Sequence, residues 1–403
     1  MDSIPTELID AILEHVYFID GVMDTTTLSS CALSCRAWSE PAQKLLFRRV
    51  ALRGMYQSRG HLSFLAATDP RTERGRILAG QIRVLEVFLG DKAGLDLDDA
   101  DLADIIERTP RLYELVLRIT GMHQFTDMTM DKLRRLASVG TQIPTIEGAE
   151  QAGPVRIRAL TILSCGIQSP ILFQLLSVWL SIEFLHIGVE IAPPTPRWRP
   201  TFKLYQLTLM RTPRIHILDW LLSSSMDSLR ILSFRDLPGR DFDPLLEQIG
   251  PRLRSLRLMN YSLRAASVTK QCPNLEEFVI VQLSPLFKIS NLPQALEHLS
   301  CRNLPSEDQT LEAVIEAVTK LPKLKVVTCD RRAREDEQFG ELSRLCADKE
   351  IELRVDETPF WVVSTHLPVF PECMSDESAQ REDPVHVDHF PRRKSVANFA
   401  LMN

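Results

Sequence analysis

Cys31 and Cys35 stand four residues apart, a spacing that sets two thiols on one face of a helix, as a redox or nucleophilic pair requires. Leu28 and Ala32 repeat at the same spacing, so a shared apolar face is the simpler account. The other cysteines (165, 272, 301, 329, 346 and 373) form no Cys-x-x-Cys pair, and most fall where an apolar repeat places a small buried residue. They read as reduced core thiols. His386-Val387-Asp388-His389 has ligand-like residues, but it lies in a stretch without the apolar period that builds a rigid second shell. Arg392-Arg393-Lys394-Ser395 resembles a basophilic kinase site, and solvated charge explains it equally simply. No phosphate-binding glycine loop, Gly-x-Ser-x-Gly or His-Glu-x-x-His occurs, and the nine histidines are dispersed. Accordingly we assign no catalytic residue, no cofactor and no metal, and expect a non-enzyme. A site assembled from distant segments stays open at this level.

The chain has 403 residues, enough for two or three domains or for one domain plus a repeat array. Apolar residues make up 44% and charged residues 25%, ordinary for a folded protein. A net charge of −6 invites neither nucleic acid nor an anionic membrane. The first residues show no basic n-region and no apolar h-region, so no secretory signal is expected. The most apolar stretch, 171–187, is interrupted by Gln174, Ser177, Ser181 and Glu183 and falls short of the ~20 apolar residues a membrane span needs. The expected address is intracellular, cytoplasmic or nuclear or both.

From about residue 80 the pattern apolar-x-x-apolar-x-apolar recurs. It reads Ile82/Leu85/Val87, Leu112/Leu115/Leu117, Ile157/Leu160/Ile162, Ile182/Leu185/Ile187 and Leu204/Leu207/Leu209. It continues as Leu229/Leu232/Phe234, Leu253/Leu256/Leu258, Leu275/Phe278/Ile280, Leu296/Leu299/Cys301 and Leu324/Val327/Cys329. Six successive intervals between Ile157 and Leu296 lie between 21 and 25 residues, the period and motif of leucine-rich repeats. The last two apolar residues of each motif share one face of a short strand and point into a core. Helix-like stretches lie between, at 99–108, 172–180, 215–226, 242–249 and 311–321. Thr109-Pro110, Gly250-Pro251, Cys272-Pro273 and Leu321-Pro322 stop helices shortly before a motif. Residues 128–139 read as an extra helix and 140–154 as an exposed loop. Trp198 sits in a second, Pro-rich excursion, where it is either a binding anchor or, more simply, folds back on the repeat edge.

The N-terminal fifty residues are of another kind. Pro5 suits the first turn of a helix, on which Leu8, Ile9, Ile12, Leu13 and Val16 recur at helical spacing. Leu28, Cys31, Ala32 and Cys35 repeat that spacing on a second helix, which Trp38 closes before Pro41 breaks it. A third short helix carries Leu45, Leu46 and Phe47. A core of about fifty residues is marginal alone, so part of the apolar surface is expected to need a partner.

Ile4-Pro5, Glu7, the apolar helix Leu8 to Val16, then Cys35-Arg36-Ala37-Trp38 and Leu-Phe-Arg-Arg-Val together resemble an F-box of the fungal type. Ile4 stands where Leu is commoner, and the loop from Tyr17 to Thr27 is longer than usual. The resemblance implies docking onto a Skp-type adaptor and, through it, a cullin ubiquitin ligase, with Ile4, Pro5, Leu8, Leu28, Leu33 and Trp38 as the adaptor-binding residues.

The expected architecture is α/β: a three-helix module over 1–54, an irregular leucine-rich-repeat solenoid over 55–358 with a parallel inner sheet and outer helices, and a disordered tail over 359–403. Residues projecting between the core positions, among them Phe184, His186, Met210, Arg235, Arg257, Met259 and Arg302, are the expected contacts to a target protein. The functional expectation is the substrate-recognition subunit of a Skp–cullin–F-box ligase. The alternative is a repeat scaffold that binds a protein outside any ligase.

Overall fold

The structure is a computed structural model and describes residues 4–19, 22–52, 58–90, 97–138, 153–284, 286–301 and 311–355. The loop expected at 140–154 (apart from its last two residues), Arg302 and the tail from 359 lie outside the described residues. The chain divides between Ala42 and Gln43 into two compact units.

In the first unit, helix α1 (Thr6–Tyr17) begins where the Pro5 carbonyl accepts the N–H groups of Leu8 and Ile9. A short hairpin follows, β1 (Phe18–Ile19) with β2 (Val22–Met23). Helix α2 (Thr25–Ser34) is capped by Asp24, whose side chain accepts from Thr27 N at 2.9 Å. Hydrogen bonding from the Thr27 side chain, and then from its backbone N–H, holds the Asp24 carboxyl below its ordinary value. Helix α1 packs on α2. The second helix ends at Cys35, which is extended, rather than at Pro41 as the sequence suggests. Pro41 lies inside α3 (Arg36–Arg48), where its ring is buried. The ring removes only the one bond its N–H would give to the Ala37 carbonyl, and Ala37 is exposed.

The second unit holds one parallel sheet of twelve strands in sequence order. They are β3 (Arg49–Leu52), β4 (Val84–Leu89), β5 (Glu114–Ile119), β6 (Ala159–Ser164), β7 (Phe184–Ile187) and β8 (Gln206–Leu209), followed by β9 (Ile231–Phe234), β10 (Ser255–Asn260), β11 (Glu277–Gln282), β12 (His298–Cys301), β13 (Val326–Cys329) and β14 (Glu352–Val355). Helices α4 (Ser58–Ala67) and α5 (Glu73–Gln81) precede β4, and α6 (Asp99–Glu107), α7 (Asp127–Ser138), α8 (Ile171–Val178) and α9 (Ile215–Leu222) follow among the next strands. Helices α10 (Asp243–Ile249), α11 (Leu263–Lys270), α12 (Glu312–Lys320) and α13 (Phe339–Asp348) complete the set. All ten sequence motifs form strands in mutual register, Leu85 beside Leu115 and onward to Val327 beside Leu353. Two further strands extend the sheet beyond them. β3 starts it at Arg49, before the expected boundary at 54, and pairs with β4 through Val50 beside Leu85.

The motif leucines and the inner helix faces form one continuous core from Leu52 to Ile351. At the joints, Leu112, Leu253, Leu275 and Leu324, each two residues after a proline, are buried. The residue just before each strand makes the seam between repeats. The Arg83 carbonyl accepts both Tyr113 N and Glu114 N at 2.9 Å, and the same double bond recurs at Tyr113, Arg158, Glu183, Tyr205, Arg230, Arg254, Glu276 and Glu297. Gly250 permits a close approach there: a Cβ on it would lie 2.3 Å from the Gln271 carbonyl oxygen. Among the described residues no helix is long and apolar enough to cross a membrane.

Candidate functional site: an exposed helix face and an open sheet face

Helix α1 and the residues that lead into it carry two apolar rows, each at four-residue spacing. Ile9, Leu13 and Tyr17 form the buried row, with Leu28 of α2 in the same core. Ile4, Leu8 and Ile12 form the other row and are 52%, 55% and 45% exposed; Leu33 near the end of α2 is 87% exposed. Four large aliphatic side chains left in solvent on a unit this small make a surface suited to a partner. Of the residues expected to dock an adaptor, Ile4, Pro5, Leu8 and Leu33 are therefore on the surface and Trp38 is half-buried. Leu28 is wholly core, since its helix turns it toward α1, and offers nothing to a partner. Ile12 belongs to the exposed row, although the sequence pattern merges it with the buried one.

In the second unit, the strand residues that alternate with the core leucines form the sheet face opposite the helices. Its two ends carry compact ionic groups. At the first end, Arg118 Nε lies 2.9 Å and Arg49 Nη2 3.4 Å from the Glu86 carboxylate, and Arg118 also stands 5.5 Å over the Phe88 ring. Glu114 is buried beside this group, with Thr161 Oγ1 donating to it at 3.4 Å. Burial outweighs the pull of Arg49 and that hydroxyl, and the nearby Glu86 charge adds to the rise, so the Glu114 carboxyl is pushed up to about 6.

Toward the other end, Glu277 accepts from Arg257 Nε at 3.0 Å and from the Ser255 hydroxyl. His298 Nδ1 lies 3.2 Å from the same carboxylate, and its Nε2 lies 2.9 Å from Thr328 Oγ1. Burial opposes the charge on Glu277, but Arg257 and His298 together hold its carboxyl well below the usual range. These contacts leave no serine or histidine in an order that activates a nucleophile, because the carboxylate sits between them. Among the described residues no cluster of His, Cys, Asp or Glu is arranged to hold a metal ion.

Between the two ionic ends, strands β6 to β9 present Thr161, His186, Thr208 and Ser233 in one row. His186 Nε2 has no partner among the described residues, and burial lowers this imidazole to about 4, so it is neutral near pH 7. Phe184 packs 5.9 Å from Tyr205, and Met210 and Met259 are half-buried on this face. The face thus brings together Phe184, His186, Met210, Arg235, Arg257 and Met259, as their spacing implies. It also holds Glu86, Glu114, Ser255 and Thr328, which that reading omits although each occupies an equivalent alternate position. Trp198 does not stand free: its ring meets Trp220 edge-on at 4.8 Å, and its carbonyl accepts the Trp220 indole N–H at 2.9 Å.

No family model and no curated protein matches the chain. Among solved structures, the crystal structure of a Bacteroides fragilis protein is similar over 74% of this chain and 82% of that one, at 12% identity and a TM-score of 0.37. A likeness that distant carries no argument about function. The described fold is a leucine-rich-repeat-like parallel α/β solenoid preceded by a small helical unit, an architecture consistent with a protein-binding scaffold.

Proposed function

We propose that the chain is a substrate-recognition adaptor of F-box type. Its helical unit docks a Skp-type protein of a cullin ubiquitin ligase, while the open sheet face holds a target. The observation that supports this most is the row Ile4, Leu8 and Ile12 with Leu33, left exposed on a unit whose resemblance to an F-box rests on Ile4-Pro5 and Cys35-Arg36-Ala37-Trp38. The chain then needs no catalytic group of its own, because it acts by holding the target beside a ubiquitin-charged enzyme at high effective concentration.

Co-expression of the full chain with a Skp-type protein, followed by affinity measurement, tests this reading. Leu8→Asp and Leu33→Asp should each weaken binding by at least thirtyfold, the size of an interface hot spot of about 2 kcal/mol. Because both side chains are exposed, the melting curve should not change. Absence of binding by the wild-type chain would sink the ligase role and leave a repeat scaffold that binds a partner elsewhere.

A further inference from the structure

Among the described residues, the arginines of the open sheet face are paired with carboxylates of the same face, with one exception. Arg49 and Arg118 share Glu86, Arg257 is tied to Glu277, and Arg354 to Glu352. Arg235 is exposed, and its guanidinium has no hydrogen-bond or ion-pair partner among the described residues. Its backbone N–H donates to the Leu209 carbonyl at 3.0 Å, which continues the ladder past Phe234 and carries the side chain to the face opposite the core. In the same register stand Met210 on one side and Met259 on the other. The row is therefore thioether, free cation, thioether, bordered by the small side chains of Thr208 and Ser233.

The surrounding charge reinforces this. The loops that follow β8 and β9 hold Arg211, Arg214, Arg235 and Arg240 against Asp236 and Asp241. Asp236 is already taken by Arg211 at 2.9 Å, and Arg214 and Arg240 are exposed. Positive charge is thus in surplus at this point of a chain that is acidic overall. A guanidinium that no internal carboxylate satisfies is a ready partner for an external one, and Arg fits a carboxylate in a two-pronged geometry. Methionine on either side gives adaptable apolar contact.

We infer that strands β8 to β10 form the specificity site for an acidic segment of a target protein. One carboxylate of the segment sits on Arg235, and apolar residues within one or two positions of it lie on Met210 and Met259. The inference rests on the open sheet face being the target-binding face.

The test is selection of random twelve-residue phage-displayed peptides on the immobilised full chain, counter-screened on Arg235→Glu and on Phe184→Asp. Both variants should first show the melting curve of the wild type. Acidic peptides with apolar neighbours that lose at least tenfold in affinity on Arg235→Glu, and that weaken with added salt, are the expected result. Peptides without acidic residues that survive Arg235→Glu but are lost on Phe184→Asp would overturn the acidic specificity while keeping the face as a binding surface. Peptides indifferent to both variants, or none at all, would overturn both. Displacement of the selected peptides by a synthetic copy of residues 371–390 would make the chain's own acidic segment the occupant and overturn the assignment to a target.

Discussion

Glu114 offers the sharpest check on the electrostatics of the open sheet face. Its carboxyl is buried on β5 with one weak hydrogen bond from Thr161 and an arginine already shared with Glu86. The rise from an ordinary 4.5 to about 6 is a factor of roughly thirty in proton affinity, about 2 kcal/mol. The sign follows from linkage. Below pH 4.5 the carboxyl is neutral in the folded and unfolded chain alike, and its burial costs nothing in charge. As pH rises through 6 the unfolded chain has already released the proton, so the folded state holds a poorly solvated carboxylate and loses about 2 kcal/mol. Glu114→Gln keeps the shape and an oxygen for Thr161 while removing the charge. Its advantage over the wild type should therefore be near its floor at pH 4 and grow by about 2 kcal/mol by pH 7.5. Urea unfolding of the two proteins at half-unit pH steps measures that difference. A difference that is flat with pH, or that shrinks as pH rises, would refute the reasoning.

Other expectations follow from packing. Leu28→Ala should cost about 2–5 kcal/mol in the helical unit, while Leu33→Ala should stay within about 0.5 kcal/mol, as read by chemical denaturation. Gly250→Ala should cost at least about 1–3 kcal/mol, because its methyl would press on the Gln271 carbonyl of the next joint. Glu350 has a left-handed φ of 57° at the end of α13, where Ile351 N donates to the Cys346 carbonyl at 2.8 Å and Glu350 N to that of Ala347 at 3.2 Å. Glu350→Gly relieves about 1–2 kcal/mol of backbone strain and gives back about half in unfolded-chain freedom. A gain of about 0.5–1 kcal/mol in stability, read as a raised thermal midpoint, is the expected outcome.

The repeat core was legible because each strand carries its two inward leucines at period two and its lead-in leucine three positions earlier. The terminal strands were not, for separate reasons. Phe47, Val50 and Leu52 satisfy the same pattern, but Phe47 is also a plausible end to a helix, and α3 does run up to Arg48. At the other end Leu353 and Val355 keep the alternation while Glu350 replaces the lead-in apolar residue, because the chain needs a left-handed turn there. Helix α1 shows a different limit. Leu8 and Ile9 stand about 100° apart on the helix, so the four-residue rows they begin lie side by side, and spacing cannot say which of the two faces α2. The ionic groups are not legible in the sequence because Glu86 and Arg118, and likewise Glu277 and His298, lie far apart in it, and only register brings them together.

The doubly bonded carbonyls between repeats use only backbone atoms, with Arg, Tyr and Glu serving in turn at equivalent positions. Side-chain identity at these bonded positions therefore does not enter the hydrogen-bonded seam, and the array is editable in whole units that carry their own joint glycine and leucines. Excision of residues 230–253 would present Arg254 and Ser255 to the Tyr205 carbonyl in place of Arg230 and Ile231, and the hydrogen-bonded seam would close again one repeat shorter. A lineage carrying such an array can lengthen or shorten its binding face by duplication or loss of a repeat without redesigning the joints, while the outward residues drift toward a new partner.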